Sequence, residues 1–238
     1  MTLQEILNDL ALSEYRHVFT GQKDIGPGID KCFIPGIVTY LNIALTELYT
    51  EFKLKTGEMV LRLDGRRVYI LDKDFTESQG LGQDKYILDM EDPFNNDLLK
   101  VETVLTTDNR LVRLNKHNDR NSMFTPEYNK LVMPRNGDLL HKVDHLVLTY
   151  RAKHELLDPI QAAERPEFTY IDLPPAYKQA LLLSMAARKT MPLTPAEGLH
   201  LGTTYKNLYM AELARLRDQN YENDWDFVEK DIHRDGWV

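Results

Sequence analysis

The segment "FIPGIVTYLNIALTELYTEFKLKTGEMVLRLDGRRVYIL" (residues 33–71) changes its apolar period part-way along, and that change decides the fold. Up to Phe52, the apolar residues Ile34, Ile37, Val38, Leu41, Leu45, Leu48, Tyr49 and Phe52 recur at steps of three and four. That is the period of one buried helix face. Pro35 falls in the first turn, where its missing N–H leaves no helical bond unmade. From Glu58 the period drops to two, and Asp64-Gly65 sits between two alternating runs. The pair predicts a tight β-hairpin there.

The same reading extends outward. "MTLQEILNDLALSEYRHVF" (residues 1–19) predicts an amphipathic helix, and "GQKDIGPGIDK" (21–31) a Gly/Pro loop. Downstream, "LKVETVLTTDNRLVRLN" (99–115) repeats the hairpin pattern around Asp108-Asn109. "YNKLVMP" (128–134) and "DHLVLTYRAKH" (144–154) predict two more strands. The intervening "DMEDPFNND" (89–97) and "NKHNDRNSMFTPE" (115–127) read as turn-rich loops. Helices resume at Pro174-Pro175 in "IDLPPAYKQALLLSMAARKTM" (171–191). A last helix starts near Thr194-Pro195 and fades near Asn220, with a stripe of Tyr205, Leu208, Tyr209, Leu213 and Leu216. The expected fold is α+β. A helical bundle (residues 1–57 and 157–217) carries an inserted small antiparallel β region (58–156) and an extended C-terminal tail (218–238).

Composition narrows the function classes. At 238 residues, 42% hydrophobic and 28% charged, the chain is long enough to bury a core without disulfide or metal. Its single cysteine, Cys32, cannot form an internal bridge, which suits synthesis in a reducing cytoplasm. The N-terminal helix has polar breaks where a signal peptide needs an apolar run. No stretch is expected to supply the roughly 20 apolar residues of a membrane span, so membrane insertion is not expected. The net charge of −8 argues against a tight grip on nucleic acid. Residues 218–238 hold seven acids and two bases, a net of −5, together with both tryptophans.

The search for chemistry finds little. The glycines of residues 21–28 lack the spacing and the Lys-Ser/Thr of a phosphate loop. "HKVDH" (141–145) runs into a strand, where its two histidines stand too far apart to share a metal. Cys32 reads as a small hydrophobe and Ser184 as part of an apolar helix face, and Glu91-Asp92 falls in a turn. No catalytic residue, cofactor or metal is expected, and the chain is read as a non-enzyme. "DGRR" (64–67) and "RLVRLNK" (110–116) are basic spots at hairpin ends. They read either as solvated turn charges or as contacts to DNA or an acidic partner.

The order of segments carries one resemblance. "IVTYLNIALTELYTEFKLKTGEMVLRL", "LLKVETVLTTDNRLVRLN", "SMFTPEYNKLVMP", "LVLTYRAKHELL" and "IDLPPAYKQALLLSMAARKTM" follow one another within residues 33–191. This series resembles the head-to-tail adaptor proteins of tailed bacteriophages, called tail tubular protein A in one group of short-tailed phages. The resemblance implies a virion protein at the portal vertex, made in the host cytoplasm. It implies a ring, usually of twelve copies, between the portal protein and the tail nozzle or tail tube. Double-stranded DNA would pass through its channel without sequence-specific binding. It also implies that the C-terminal segment clasps the portal, with Trp225, Phe227, Val228, Ile232, Trp237 and Val238 as anchors. Lateral ring contacts are expected from Glu212 with Arg215 or Arg217 of a neighbour. Two other classes stand beside this reading: a tail-associated hydrolase acting on the cell envelope, and a cytoplasmic α+β interaction module unrelated to virions.

Overall fold

The computed structural model describes residues 1–20, 29–80, 82, 84–90, 93–134, 143–191 and 197–219. The fold is α+β, with six α-helices and two antiparallel sheets among the described residues. The chain divides into two compact units. One comprises residues up to Leu48 and from Leu156 onward, the other Tyr49–Glu155.

The first unit is helical. Helix α1 (Leu3–Leu12) begins with a capping box, in which the Thr2 hydroxyl accepts from Glu5 N–H while the Glu5 carboxylate accepts from Thr2 N–H. The expected single N-terminal helix breaks at Ser13, and α2 (Arg16–Phe19) follows. The N-terminus is tied down, because Leu3 N–H donates to Thr169 O and Ile171 N–H to Met1 O. Helix α3 (Ile34–Glu51) buries all eight residues of the stripe through Phe52. Seven β-branched residues weigh against this helix, at most about 0.7 kcal/mol each. Burying six large aliphatic side chains, at roughly 1.5–3 kcal/mol each, outweighs them.

One expectation is corrected here. Residues Lys31–Glu51, with mean hydropathy 1.3, are long and apolar enough by length and composition to cross a membrane. Two of the hydroxyls within it are satisfied locally. The Thr39 and Thr46 hydroxyls donate to Pro35 O and Asn42 O one turn back. The inner face of the helix is core.

Helices α4 (Pro159–Glu164), α5 (Lys178–Thr190) and α6 (Glu197–Asp218) complete the unit. Helix α4 was not foreseen, although Asp158 caps it and Pro159 opens it. Of the α6 stripe, Tyr205, Leu213 and Leu216 are buried, whereas Leu208 stands 48% exposed. Glu47 of α3 accepts from the Ser184 hydroxyl (2.9 Å) and pairs with Arg188, joining α3 to α5.

The second unit is built on two sheets. Strands β1 (Thr56–Arg62), β3 (Ile87–Leu88), β4 (Leu98–Thr106), β5 (Leu111–Val112) and β8 (His145–Ala152) form one sheet in the order β3-β1-β8-β4-β5. The other is β2-β7-β6, from β2 (Val68–Ile70), β6 (Phe124–Glu127) and β7 (Lys130–Val132). The hairpin expected at Asp64-Gly65 does not form. Strand β1 pairs with β8 over seven residues, Thr56↔Arg151 to Arg62↔His145, while β2 pairs with β7. The Asp-Gly turn exists, with Gly65 at φ +84° and Asp64 held by the Tyr69 hydroxyl and Arg66. It turns the chain from one sheet into the other. The hairpin around Asp108-Asn109 does form, with Val104 opposite Val112. Phe124–Glu127, expected as loop, becomes β6, and Ile87–Leu88, for which no element was expected, becomes β3. Gly57 is required where it lies, since a Cβ there would meet the Tyr150 ring at 2.3 Å.

Candidate interaction surfaces

The six tail anchors, Trp225, Phe227, Val228, Ile232, Trp237 and Val238, lie outside the described residues, as do His141, Glu91, Asp92 and the loop 21–28. Glu212 and Arg215 lie one turn apart on α6 and pair with each other. The guanidinium donates to both carboxylate oxygens at 2.8 and 2.6 Å, and to Gln219 Oε1 at 2.6 Å. Arg217 follows in the last turn of the same helix, at its negative dipole end.

The reactive residue types occupy structural roles. Cys32 is exposed, which corrects its reading as a small hydrophobe; it falls in a short 3-10 turn ahead of α3, on no apolar face. Its thiol pKa is raised, by desolvation first and then by Asp30 beside it, opposite to the activation a nucleophile needs. Among the described residues no group of three His, Cys, Asp or Glu converges as a metal site would require. Asp89 is buried in the β unit. Burial pushes its carboxyl up, but donors from Ser78 N–H (2.9 Å), the Ser78 hydroxyl (2.6 Å) and Phe94 N–H (3.0 Å) outweigh this. The carboxyl is held below its ordinary value and joins Ser78 to Phe94.

The two basic spots diverge. In "DGRR", Arg66 is committed locally. It pairs with Asp64 at 2.7 Å and Asp84 at 3.0 Å, and its guanidinium lies 5.1 Å over the Tyr86 ring. The second spot lies on the β4–β5 turn and the loop after it. There Arg110, Leu111, Val112 and Arg113 line a cleft of about 310 Å³ with Thr106 and Asp119. Arg110 has no ion-pair partner among the described residues, and Arg113 reaches Asp119 at only 3.4 Å. Leu111 is exposed. Lys116 and Arg120 are exposed on the following loop. From Arg110 to Arg120, four cations stand against one acid, a net of +3 in a chain of net −8.

The loop that displays these charges is fixed by its own hydrogen bonds. The buried Ser122 hydroxyl donates to Arg113 O and accepts from Lys116 N–H. Asn115, at φ +57°, exchanges two 2.9 Å bonds with Thr125. The charge of 110–116 was legible in the sequence; the cleft between it and 119–121 was not, because the loop's closure depends on Ser122 and Asn115.

The helical unit exposes several large apolar side chains close together in the sequence. Leu156, Ile160, Phe168 and Tyr170 are 64%, 69%, 70% and 73% exposed within fifteen residues. Leu157 exchanges two hydrogen bonds with the Asn42 side chain, which sets the start of this segment beside α3, next to the exposed Ile43. Sequence patterning missed this group, since isolated apolar residues in a loop-like stretch carry no period. No protein-family model matches the chain, and no curated protein matches it.

Proposed function

We propose that the protein is a structural component of a phage virion, a head-to-tail adaptor. Copies assemble into a ring beneath the portal, join the capsid to the tail, and surround the path of the genome during retention and ejection. The observation that carries this reading is the apolar group at Leu156, Ile160, Phe168 and Tyr170. Clustered exposure of large apolar side chains marks a surface that a partner covers. In a ring that partner is the adjacent copy, through a heterologous contact that closes on itself. The α+β layout, a helical unit interrupted by an antiparallel β unit, accords with the adaptor resemblance of residues 33–191. The C-terminal tail supplies the clasp on the portal, with tryptophan and phenylalanine anchors of the kind that dominate interface energies. Glu212 and Arg215 contribute to lateral packing as a pre-formed pair.

Electron microscopy of the protein mixed with its portal tests this, run beside a chain truncated after Gln219. A ring on the portal with the full chain, and none with the truncated one, is the expected result. A ring with both leaves the adaptor but removes the tail as its clasp. No ring with either overturns the reading.

A further inference from the structure

We propose that residues 221–229 of one copy dock into the cleft at the β4–β5 turn of another copy; this rests on the ring reading above. The charge of the tail is unevenly placed. Residues 218–229 hold five acids and neither Lys nor Arg, a net of −5, while residues 230–238 hold two acids and two bases, a net of zero. The acidic half reads "DQNYENDWDFVE", with Trp225 and Phe227 each flanked by a carboxylate. The cleft is its complement. It is lined by the apolar Leu111 and Val112 together with Arg110 and Arg113, and the exposed Lys116 and Arg120 follow in the chain.

About 310 Å³ is at the small end for a ligand pocket and holds one or two side chains. An aromatic residue seats against Leu111 and Val112, and the flanking carboxylates meet the arginines. Arg110 has no ion pair to give up among the described residues, and Arg113 exchanges a long contact with Asp119 for a shorter one. The surface is already ordered by the Ser122 and Asn115 hydrogen bonds, so docking costs little rearrangement. Duplex DNA is the other polyanion this charge would attract, but a pocket with apolar lining suits an acidic aromatic peptide better than a row of phosphates. Donor segment and acceptor cleft on one chain make a heterologous contact, the kind that closes rings. This narrows the portal clasp to the neutral half, with Ile232, Trp237 and Val238, and assigns Trp225, Phe227 and Val228 to the neighbouring copy instead.

Trp225 and Trp237 are the only tryptophans, so fluorescence excited beyond the tyrosine absorption band reports the tail alone. Tryptophan emission is expected to shift to shorter wavelength as protein concentration rises, and to shift back with added salt. Arg110→Glu with Arg113→Glu moves the midpoint of that shift up by roughly 100-fold, with circular dichroism unchanged. Asp224→Lys with Asp226→Lys does the same, and the four changes together restore the shift. A quadruple variant that fails to restore it overturns the proposal. So does a shift independent of concentration, which would place the tail on its own chain. Binding of a short duplex that is lost in R110E/R113E, with the tryptophan shift intact in that variant, overturns it in favour of a phosphate site. If the fluorescence arm fails while the portal still acquires a ring, only the tail-to-cleft contact falls. If no ring forms, the adaptor reading falls on the microscopy alone.

Discussion

Asp89 shows how much one buried carboxylate organises. It accepts from two backbone N–H groups and one hydroxyl, and so ties Ser78 to Phe94. The folded carboxyl titrates below its unfolded value of about 3.9, so its stabilisation is present above about pH 4. It fades as the pH falls through the folded value. Asp89→Asn is expected to destabilise the protein by about 1–3 kcal/mol at pH 7. Its urea midpoint should approach that of the parent as the pH falls from 7 through the folded value. A loss that stays constant with pH would mean that the charge of Asp89 contributes nothing. The position was read from sequence only as part of a turn, because nothing local announces which donors a carboxylate will meet.

Arg151 ties elements together within the β unit. Its side chain is 10% exposed on β8; Nε donates to Glu102 of β4 at 2.8 Å, and Nη1 to Thr50 O in the last turn of α3 at 2.7 Å. Removing the arginine leaves the half-buried Glu102 carboxylate, among the described residues, with only the long Lys100 contact at 3.5 Å. Arg151→Met should cost about 3 kcal/mol, and Arg151→Met with Glu102→Leu should recover most of it, measured as a double-mutant cycle in urea. Additive losses would show that the two side chains do not couple. Strand identity was legible at this scale. Strands β4, β5, β7 and β8 lie where alternation and turn residues placed them, and the α3 stripe is buried at every position. Strand β3 was missed because two residues show no period without a hairpin turn such as the one beside β5, and β6 because Pro126 lies inside it.

At the scale of the whole molecule, the ring proposed above would use the exposed apolar side chains of residues 156–170 for assembly more than for folding. Phe168→Glu with Tyr170→Glu is expected to change unfolding free energy by less than about 0.5 kcal/mol, as exposed substitutions do. The same pair should abolish ring formation on the portal in electron micrographs. A ring that survives it would remove this surface from the interface. What the sequence by itself determined is the existence and face of most elements, since periods of 3.6 and 2 are written into neighbouring residues. It also determined the charge of each segment, including the acidic tail and the basic stretch at 110–116. Only the tertiary structure decided that β1 leaves its turn for β8, that Arg66 is neutralised at home while Arg110 is not, and that a cleft forms beneath the β4–β5 turn. A turn motif specifies a change of direction over four residues. Which strand then pairs is settled by apolar burial between residues far apart in the chain, and a slip of one residue would have turned that buried face to solvent.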